Sequence, residues 1–378
     1  MEIEQASQRL IIISTIDHII NVMLPHLDGA RKIGYDVHVA CHFTRFKDDI
    51  AEHCDGLHSV SLQRNPLDPR NILALFQLIK IIRKLRPDIV HCHNPSGGFI
   101  GRLAATLAKT GAKRVYTAHG FHFHPLGNKF SNAIYRFIES FAGRFLSDAV
   151  ITINQWDFEE AKKLMPESRV YFTHGVGVST DIFDPKTVIP KERQAIRDEF
   201  NVPDRGILIT CIGELIPRKN QRAAIEALKS LSNKIQAVFV GDGRDEVSLQ
   251  AQVTENIHFA GFRRDTRAIL AATDIFLFPS LQEGLPCAIQ EALSMEVPVV
   301  CYAIRGCTDM VENTCGRTSI AHNPDQLAAA LQEILALTTE ERKTLGKAGR
   351  QKMIEHYSRP KCVAEWLEIY AQLRGGKG

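Results

Sequence analysis

The 378 residues predict an α/β protein of two doubly wound, parallel-sheet domains, and three observations carry that prediction. The length exceeds what one ordinary core fills and suggests two domains. Short apolar runs alternate with helical patterns along most of the chain, the signature of a parallel sheet covered on both faces. Residues 175–190, GVGVSTDIFDPKTVIP, are rich in Gly, Pro and small polar residues and separate two such series.

The first series opens with the apolar strand LIIIS, a helical pattern through HIINVMLPHLDGARKIG and the strand YDVHVACHF. Next come the helix NILALFQLIKIIRKLRP, the strand DIVHCH, the helix GGFIGRLAATLAKTG and the strand KRVYTAH. The alternation breaks at a long helical pattern, NKFSNAIYRFIESFAGRFLSD, before the strand AVITIN, the helix WDFEEAKKLM and the strand RVYFTHG. The second series runs through five short strands, GILITCIGEL, IQAVFVGDG, NIHFAGF, DIFLFPS and VPVVCYA, with helices between them. The last helix, KCVAEWLEIYAQL, carries an apolar stripe of Val363, Trp366, Leu367 and Tyr370, and the RGGKG tail after it is expected to be mobile. Domains are therefore expected at 1–185, with the helix 359–374 added, and at 186–358.

Composition removes several classes of function. An apolar share of 44% and a charged share of 24% describe a globular chain. No run of about eighteen apolar residues exists, so no membrane-spanning helix is expected. The start, MEIEQASQRLIIIST, has two acids and no basic region and is not expected to be a secretory signal. Nine cysteines without a C-x-x-C pair read as reduced thiols in a cytoplasm. A net charge of +3 does not argue for nucleic acid.

The chemistry centres on residues 279–292, PSLQEGLPCAIQEA. A strand ends at Ser280, Gly284 opens a tight turn, and Pro286 takes the first helical position. Glu283 and Glu291 bracket that turn at about 12 Å along the axis, with the unpaired amides of the helix start between them. Such an N-terminus suits a diphosphate, and a carboxylate on either side can accept hydroxyl hydrogen bonds from two sugars. The stretch resembles the E-x7-E signature of the retaining glycosyltransferases of family four, and the likeness extends over nearly the whole chain. It implies the GT-B fold, two Rossmann-like domains facing across a cleft, with the last helix crossing back to the first. It further implies that Glu291 holds the ribose of the donor, that Glu283 contacts the donor sugar near the reacting centre, and that Gly284, Leu285 and Pro286 line the donor site.

Other stretches fit the same resemblance. GELIPRKNQ at 213–221 places Arg218 and Lys219 before a helix, where two cations suit a departing diphosphate. Lys219 matches the family's Lys, but the position of its Arg, just after Gly213, holds Glu214, and Arg218 is expected to substitute. Gly241-Asp242-Gly243 resembles the family's G-D-G turn, although a plain strand-to-helix turn explains it as well. Arg263 is a base-pocket candidate. In Thr117-Ala118-His119-Gly120, His119 resembles the family's histidine on the catalytic face. For the acceptor, the candidates are Asp17 and His18 after the first strand, Asn94 and Gly97 in HNPSGG, and His122. A metal site built from His91, His93, His119, His122 and His124 is the competing use of these imidazoles. No D-x-D occurs, so no metal and no other cofactor is expected.

Basic residues interleave with aromatics in two helical stretches. The first carries Lys80, Arg83, Lys84 and Arg86. The second carries Lys129, Arg136 and Arg144 among Phe130, Tyr135, Phe137, Phe141 and Phe145. Both suit an anionic membrane surface, and both also suit core-facing helices with a solvated basic edge. The expectation is a cytoplasmic enzyme, peripheral at the inner face of the membrane, that transfers a hexose-type sugar from a UDP-sugar to a glycan or polyprenyl-diphosphate-linked acceptor in bacterial surface polysaccharide assembly. A nucleotide-sugar epimerase of the same fold and a catalytically silent nucleotide-binding partner of another transferase are the alternatives.

Overall fold

The computed structural model describes residues 8–229 and 235–375. The acidic start up to residue 7 and the last three residues of the RGGKG tail lie outside the described residues.

The chain forms two compact units. The first holds residues up to Val176 together with the C-terminal helix from Pro360, and the second holds Gly177–Arg359. The first unit's sheet has strands β1 (Gln8–Ile16), β2 (Tyr35–His42), β3 (Gly56–Ser59), β4 (Ile89–His93), β5 (Lys113–Ala118), β6 (Ala149–Thr152) and β7 (Val170–Phe172). Their spatial order is β3-β2-β1-β4-β5-β6-β7, and every pairing is parallel. The second unit has β8 (Ile207–Ile212), β9 (Ile235–Val240), β10 (Ile257–Gly261), β11 (Ile275–Phe278), β12 (Val299–Tyr302) and β13 (Gly316–Ser319), in the parallel order β10-β9-β8-β11-β12-β13.

All of β4, β6, β9, β11 and β12 is buried, because helices cover both faces; that is why these strands read as unbroken apolar runs. In each sheet the strand order reverses once, between β1 and β4 and between β8 and β11. Ligands of such sheets bind outside the carboxyl ends of the strands at that reversal. The loops after β1 and β4, and those after β8 and β11, are therefore where each unit's site is sought.

Some expectations shift in detail. The first helical pattern is two helices, Asp17–Val22 and Leu24–Lys32, because Pro25 sits in the second one's first turn. The Glu-rich turn leads into the helix Cys287–Ser294 with Pro286 as its N-cap, one position earlier than expected. Where the first domain was expected to run to 185, the units part at Val176. Residues 177–185 go with the second unit because Arg350 holds them, donating to the carbonyls of Thr180 and Phe183 at 3.0 and 2.8 Å and to Asp184 at 2.7 Å.

The C-terminal helix Arg359–Gly375 packs into the first unit's core. Trp366, Ile369, Tyr370 and Leu373 join Leu10, Ile12 and Val115. Of the expected stripe, Val363 and Leu367 lie at the edge, against Gly29, where a Cβ would stand 2.4 Å from Val363 Cγ1.

Candidate functional site

In the second unit the loops after β8 and β11 meet at one carboxylate oxygen. Glu283 Oε1 accepts from Lys219 Nζ at 2.7 Å, from Arg218 Nη1 at 3.0 Å and from Ser280 Oγ at 2.6 Å. The loops are tied by backbone as well: Leu281 N donates to Arg218 O at 2.9 Å, and Asn220 Nδ2 to Pro279 O at 3.3 Å. Lys219 also stands 5.0 Å over the Phe278 ring, so its ammonium is held from two sides. The Glu283 carbonyl accepts from Arg305 Nε at 2.9 Å. Two cations, a hydroxyl and a carboxylate thus converge where a phosphate group and a sugar hydroxyl could both be bound.

The turn that aims Glu283 rests on a glycine the sequence did not single out. Gly306 has φ +74°, and a Cβ there would lie 2.0 Å from Gly284 O, so only glycine fits. Leu285 and Pro286, buried behind it, start the helix that carries Glu291 one turn on. Burial pushes the Glu291 carboxyl up to about 7, and the Arg359 guanidinium nearby opposes part of that rise.

Gly213 and Gly241 directly follow the neighbouring strands β8 and β9, with Gly243 two residues further on. At Gly241 (φ +138°) a Cβ would stand 2.2 Å from Gly213 O, and at Gly243 one would stand 2.3 Å from Leu215 O. The two glycines serve turn-to-turn packing, with Leu215 N donating to Asp242 O at 2.7 Å. Arg263, the base-pocket candidate, follows β10, and its guanidinium donates to Glu199 at 2.5 Å and to Asp265 at 2.6 and 2.8 Å. Glu214 is exposed, and its carbonyl accepts from Gln221 Nε2 at 2.9 Å.

In the first unit, His18, Asn94 and His122 line one cavity of about 550 Å³, together with Phe99, Tyr135 and Glu139. Asn94 holds φ +63° and donates from Nδ2 to Ser14 Oγ at 3.0 Å, a constrained backbone of the kind that gathers at binding sites. Gly97 allows the helix Pro95–Ala108 to approach β1, since a Cβ would lie 3.0 Å from Thr15 N.

Asp17, expected with these contacts, is fully buried and engaged elsewhere. Its carboxylate accepts from the amides of Thr44, Arg45 and Phe46 at 2.7, 2.7 and 2.9 Å and from Thr44 Oγ1 at 2.7 Å. Burial raises its pKa, but these four bonds outweigh that and hold it at about 2. It is the clamp of the loop after β2.

His119 follows β5, and its Nε2 lies 3.0 Å from His93 Nδ1. Burial lowers His119 to about 4, so the ring is neutral at physiological pH. His91 bonds Tyr370 Oη at 2.6 Å and Thr117 Oγ1 at 2.7 Å, and Trp366 stacks on His93. Burial, with neighbouring imidazoles adding to it, keeps His91 and His93 well below the ordinary histidine value. This is an uncharged stack that braces His119, with His93 Nε2 and Trp366 Nε1 buried and without a hydrogen-bond partner. Among the described residues no group of three or more His, Cys, Asp or Glu is arranged to hold a metal ion.

The two amphipathic helices do face the core, with Ala74, Leu78 and Ile82 of one and Ala142 of the other buried, but each also carries an outward apolar face. On Lys129–Phe145, Phe130, Phe137 and Phe145 are 75, 73 and 64% exposed, and Ile72, Leu73 and Phe76 of the helix Arg70–Leu85 are exposed too. Arg136 is tied to Glu160, and Arg144 donates to Leu164 O at 2.8 Å, so the outward face is more apolar and less basic than its sequence suggested. No helix among the described residues is long and apolar enough to cross a membrane.

Sequence reasoning missed Ser280, Arg305 and Gly306 around Glu283, and Glu139 in the first unit's cavity. The Arg-Gly pair after the run VVCYA was the one available signal for the loop that supports Gly284.

The chain matches two family profiles. One is described as glycosyl transferases group 1, over residues 192–352. The other is described as glycosyl transferase 4-like, over residues 13–154. It is 31% identical to EpsD of Bacillus subtilis, named as a glycosyltransferase, over 97% of each chain. It is 26% identical to an Escherichia coli enzyme named UDP-Gal:alpha-D-GlcNAc-diphosphoundecaprenol alpha-1,3-galactosyltransferase, over 93% of this chain and 95% of that one. Among solved structures, HepE of Anabaena in complex with UDP superposes with a TM-score of 0.81 at 17% identity, covering 97% of this chain and all of that one.

Proposed function

This chain belongs to the group 1 glycosyl transferases, and from that premise we propose that it moves a hexose-type sugar from a UDP-sugar, with retention of configuration, to a polyprenyl-diphosphate-linked glycan in bacterial surface polysaccharide assembly. The observation that carries this reading is the convergence of Lys219, Arg218 and Ser280 on Glu283 at the sheet reversal of the second unit. When the bond between sugar and diphosphate breaks, negative charge accumulates on the departing diphosphate. Lys219 and Arg218, already gathered by Glu283, are in place to meet that charge. Arg218 takes the part for which Glu214 is unsuited. Glu291 receives the ribose hydroxyls, Glu283 orients the donor sugar, and neutral His119 can both donate to and accept from sugar hydroxyls.

With two cations and helix-start amides on the diphosphate, no metal is needed for its charge. The E. coli relative's lipid-linked acceptor supports the same class here. The outward phenylalanines of Lys129–Phe145 support attachment to the membrane surface that presents such an acceptor.

The experiment is thermal unfolding with saturating UDP, GDP or ADP and a panel of their sugars, with and without EDTA. A ligand at a hundred times its dissociation constant stabilises by about 2.7 kcal/mol, a shift that is easily read. Stabilisation by UDP that survives EDTA is expected. Stabilisation by GDP alone would move the donor to a GDP-sugar, loss of the shift in EDTA would reinstate a metal, and no shift with any nucleotide would overturn donor binding.

A further inference from the structure

Glu139 lines the first unit's cavity although it is only 8% exposed. Its carboxylate is poorly satisfied. Oε2 has no hydrogen-bond partner and lies 3.6 Å from Arg102 Nη2, and Oε1 receives Tyr116 Oη only at 3.5 Å.

The groups around it are firmly placed. Arg102, 1% exposed, donates from Nε to Gly98 O at 2.8 Å and from Nη1 to Ser147 Oγ at 2.9 Å. Its guanidinium stacks 4.0 Å from the Tyr116 ring centre. Tyr116 fits under the helix Pro95–Ala108 because residue 98 is glycine; a Cβ there would stand 2.3 Å from the ring. Arg102 keeps a charge opposite Glu139 but spends its best-aligned donors elsewhere. Buried carboxylates ordinarily have hydrogen-bond donors; Oε2 is sealed against Arg102, so the capacity left is that of Oε1, whose bond from Tyr116 is long, in a residue that lines the cavity.

That capacity limits what the cavity can hold. A hydrocarbon chain would leave the carboxylate without a donor, and a phosphate would be repelled beside Glu139, its place in this cavity being at the Arg64 wall. A sugar fits both demands: its ring face or an acetamido methyl can lie on Phe99, Ile100, Tyr135 and Ile138, while a hydroxyl or amide N–H reaches the carboxylate. We propose that this cavity binds the acceptor's sugar and that Glu139 is a specificity-determining residue, accepting a hydrogen bond from that sugar's acetamido N–H or hydroxyl. The proposal rests on the transferase reading above and names the part of the acceptor this cavity takes.

The test is calorimetric titration of the full chain, without donor, with farnesyl-diphosphate-linked N-acetylglucosamine and its glucose counterpart. Both are repeated on Glu139→Gln and on Phe99→Trp, which fills the cavity from another wall. The wild type is expected to bind at least one of them, and its preference decides between N–H and hydroxyl. Glu139→Gln is expected to weaken the preferred ligand about tenfold, the cost of a hydrogen bond to a charged group, and to narrow the preference. UDP affinity, measured alongside, should stay within twofold. Phe99→Trp is expected to lose acceptor binding with UDP affinity kept, which tests the cavity even if Glu139→Gln lowers the melting temperature too far to use. A folded Glu139→Gln with unchanged affinity and preference overturns the role of Glu139, and unchanged binding in Phe99→Trp overturns the cavity. Because acceptor binding is read without donor, loss of the UDP assignment would leave this result standing, and the reverse also holds.

Discussion

Glu291 offers the sharpest test of donor binding, because its ionisation is set to change inside the working pH range. Burial holds its carboxyl at about 7 against an ordinary 4.5. A carboxylate that accepts from two ribose hydroxyls must be ionised, so donor binding should require loss of this proton. With a free-state value of about 7, the group is roughly one-tenth ionised at pH 6 and nine-tenths at pH 8, which predicts affinity rising about tenfold across that window, or about 1.4 kcal/mol. The assay is isothermal titration with an intact UDP-sugar, whose phosphates do not titrate there. His119, at about 4, does not titrate there either. Stability should move oppositely. The folded value lies above the unfolded one, so the folded state binds more protons between pH 4.5 and 7 and stability falls as pH rises through that interval, by at most about 3 kcal/mol. Glu291→Gln should therefore melt higher than the wild type at pH 8 while losing most of its donor affinity. A flat affinity from pH 6 to 8, or a Gln variant that binds donor within twofold of wild type, would refute the ribose role.

Three further outcomes follow from the same geometry. Lys219→Ala should lower the rate of donor consumption about a hundredfold or more, the usual cost of one preorganised donor at developing charge, with UDP affinity falling less than the rate; equal losses in binding and rate would make the lysine a plain binding residue. Gly306→Ala forces a Cβ to within 2.0 Å of Gly284 O at φ +74° and should destabilise by about 1–3 kcal/mol and weaken donor binding, read as a lower melting temperature and a smaller UDP shift. Asp17 is held at about 2 against an ordinary 3.8, so its contribution of about 2 kcal/mol is present above pH 4 and lost as pH falls through 2. Asp17→Asn should accordingly lose that stability at pH 7, in denaturant titration, without changing acceptor affinity, whereas a change in acceptor affinity alone would return it to the acceptor site.

The central strands were legible because burial on both faces leaves unbroken apolar runs. The edge strands β3 and β13 were not, since GLHS and GRTS have no such run and pair on one side only. Glu283 and Lys219 were each assigned to the donor site from the sequence through the family resemblance, and although 64 residues apart they meet because both follow strands beside the sheet reversal. Asp17 could not be placed in the same way. Its position after β1 suggested a ligand contact, but whether a carboxylate faces solvent or three amides of the next loop depends on the path of residues 44–46, which carry no pattern of their own. The partners of Arg263 were legible only in part: Asp265 was visible two residues on, while Glu199, 64 residues away, was not. The outward phenylalanines of Lys129–Phe145 show the limit of periodicity, which marks an apolar stripe without saying whether protein covers it.

The Glu283 cluster also bears on how the donor would enter. Lys219, Arg218 and Ser280 all bind Oε1, so the arrangement adds little stability where Arg218 is 41% exposed and screened by water. Its stronger consequence is preorganisation. Without Glu283 the two cations would repel each other and sample many rotamers, and ordering them would be charged against donor binding. With it, they are fixed before the diphosphate arrives. A diphosphate carries more charge than one carboxylate, so it can draw the cations toward itself while Oε1 and Oε2 turn to the hydroxyls of the donor sugar. Glu283→Gln should therefore damage catalysis more than a lost sugar contact would, because it also releases Lys219 and Arg218. Double-mutant analysis can separate the two effects: if Glu283→Gln and Lys219→Ala act through one unit, their combined loss in rate will be well below the product of the single losses, and multiplicative losses would show that the carboxylate does not position the lysine.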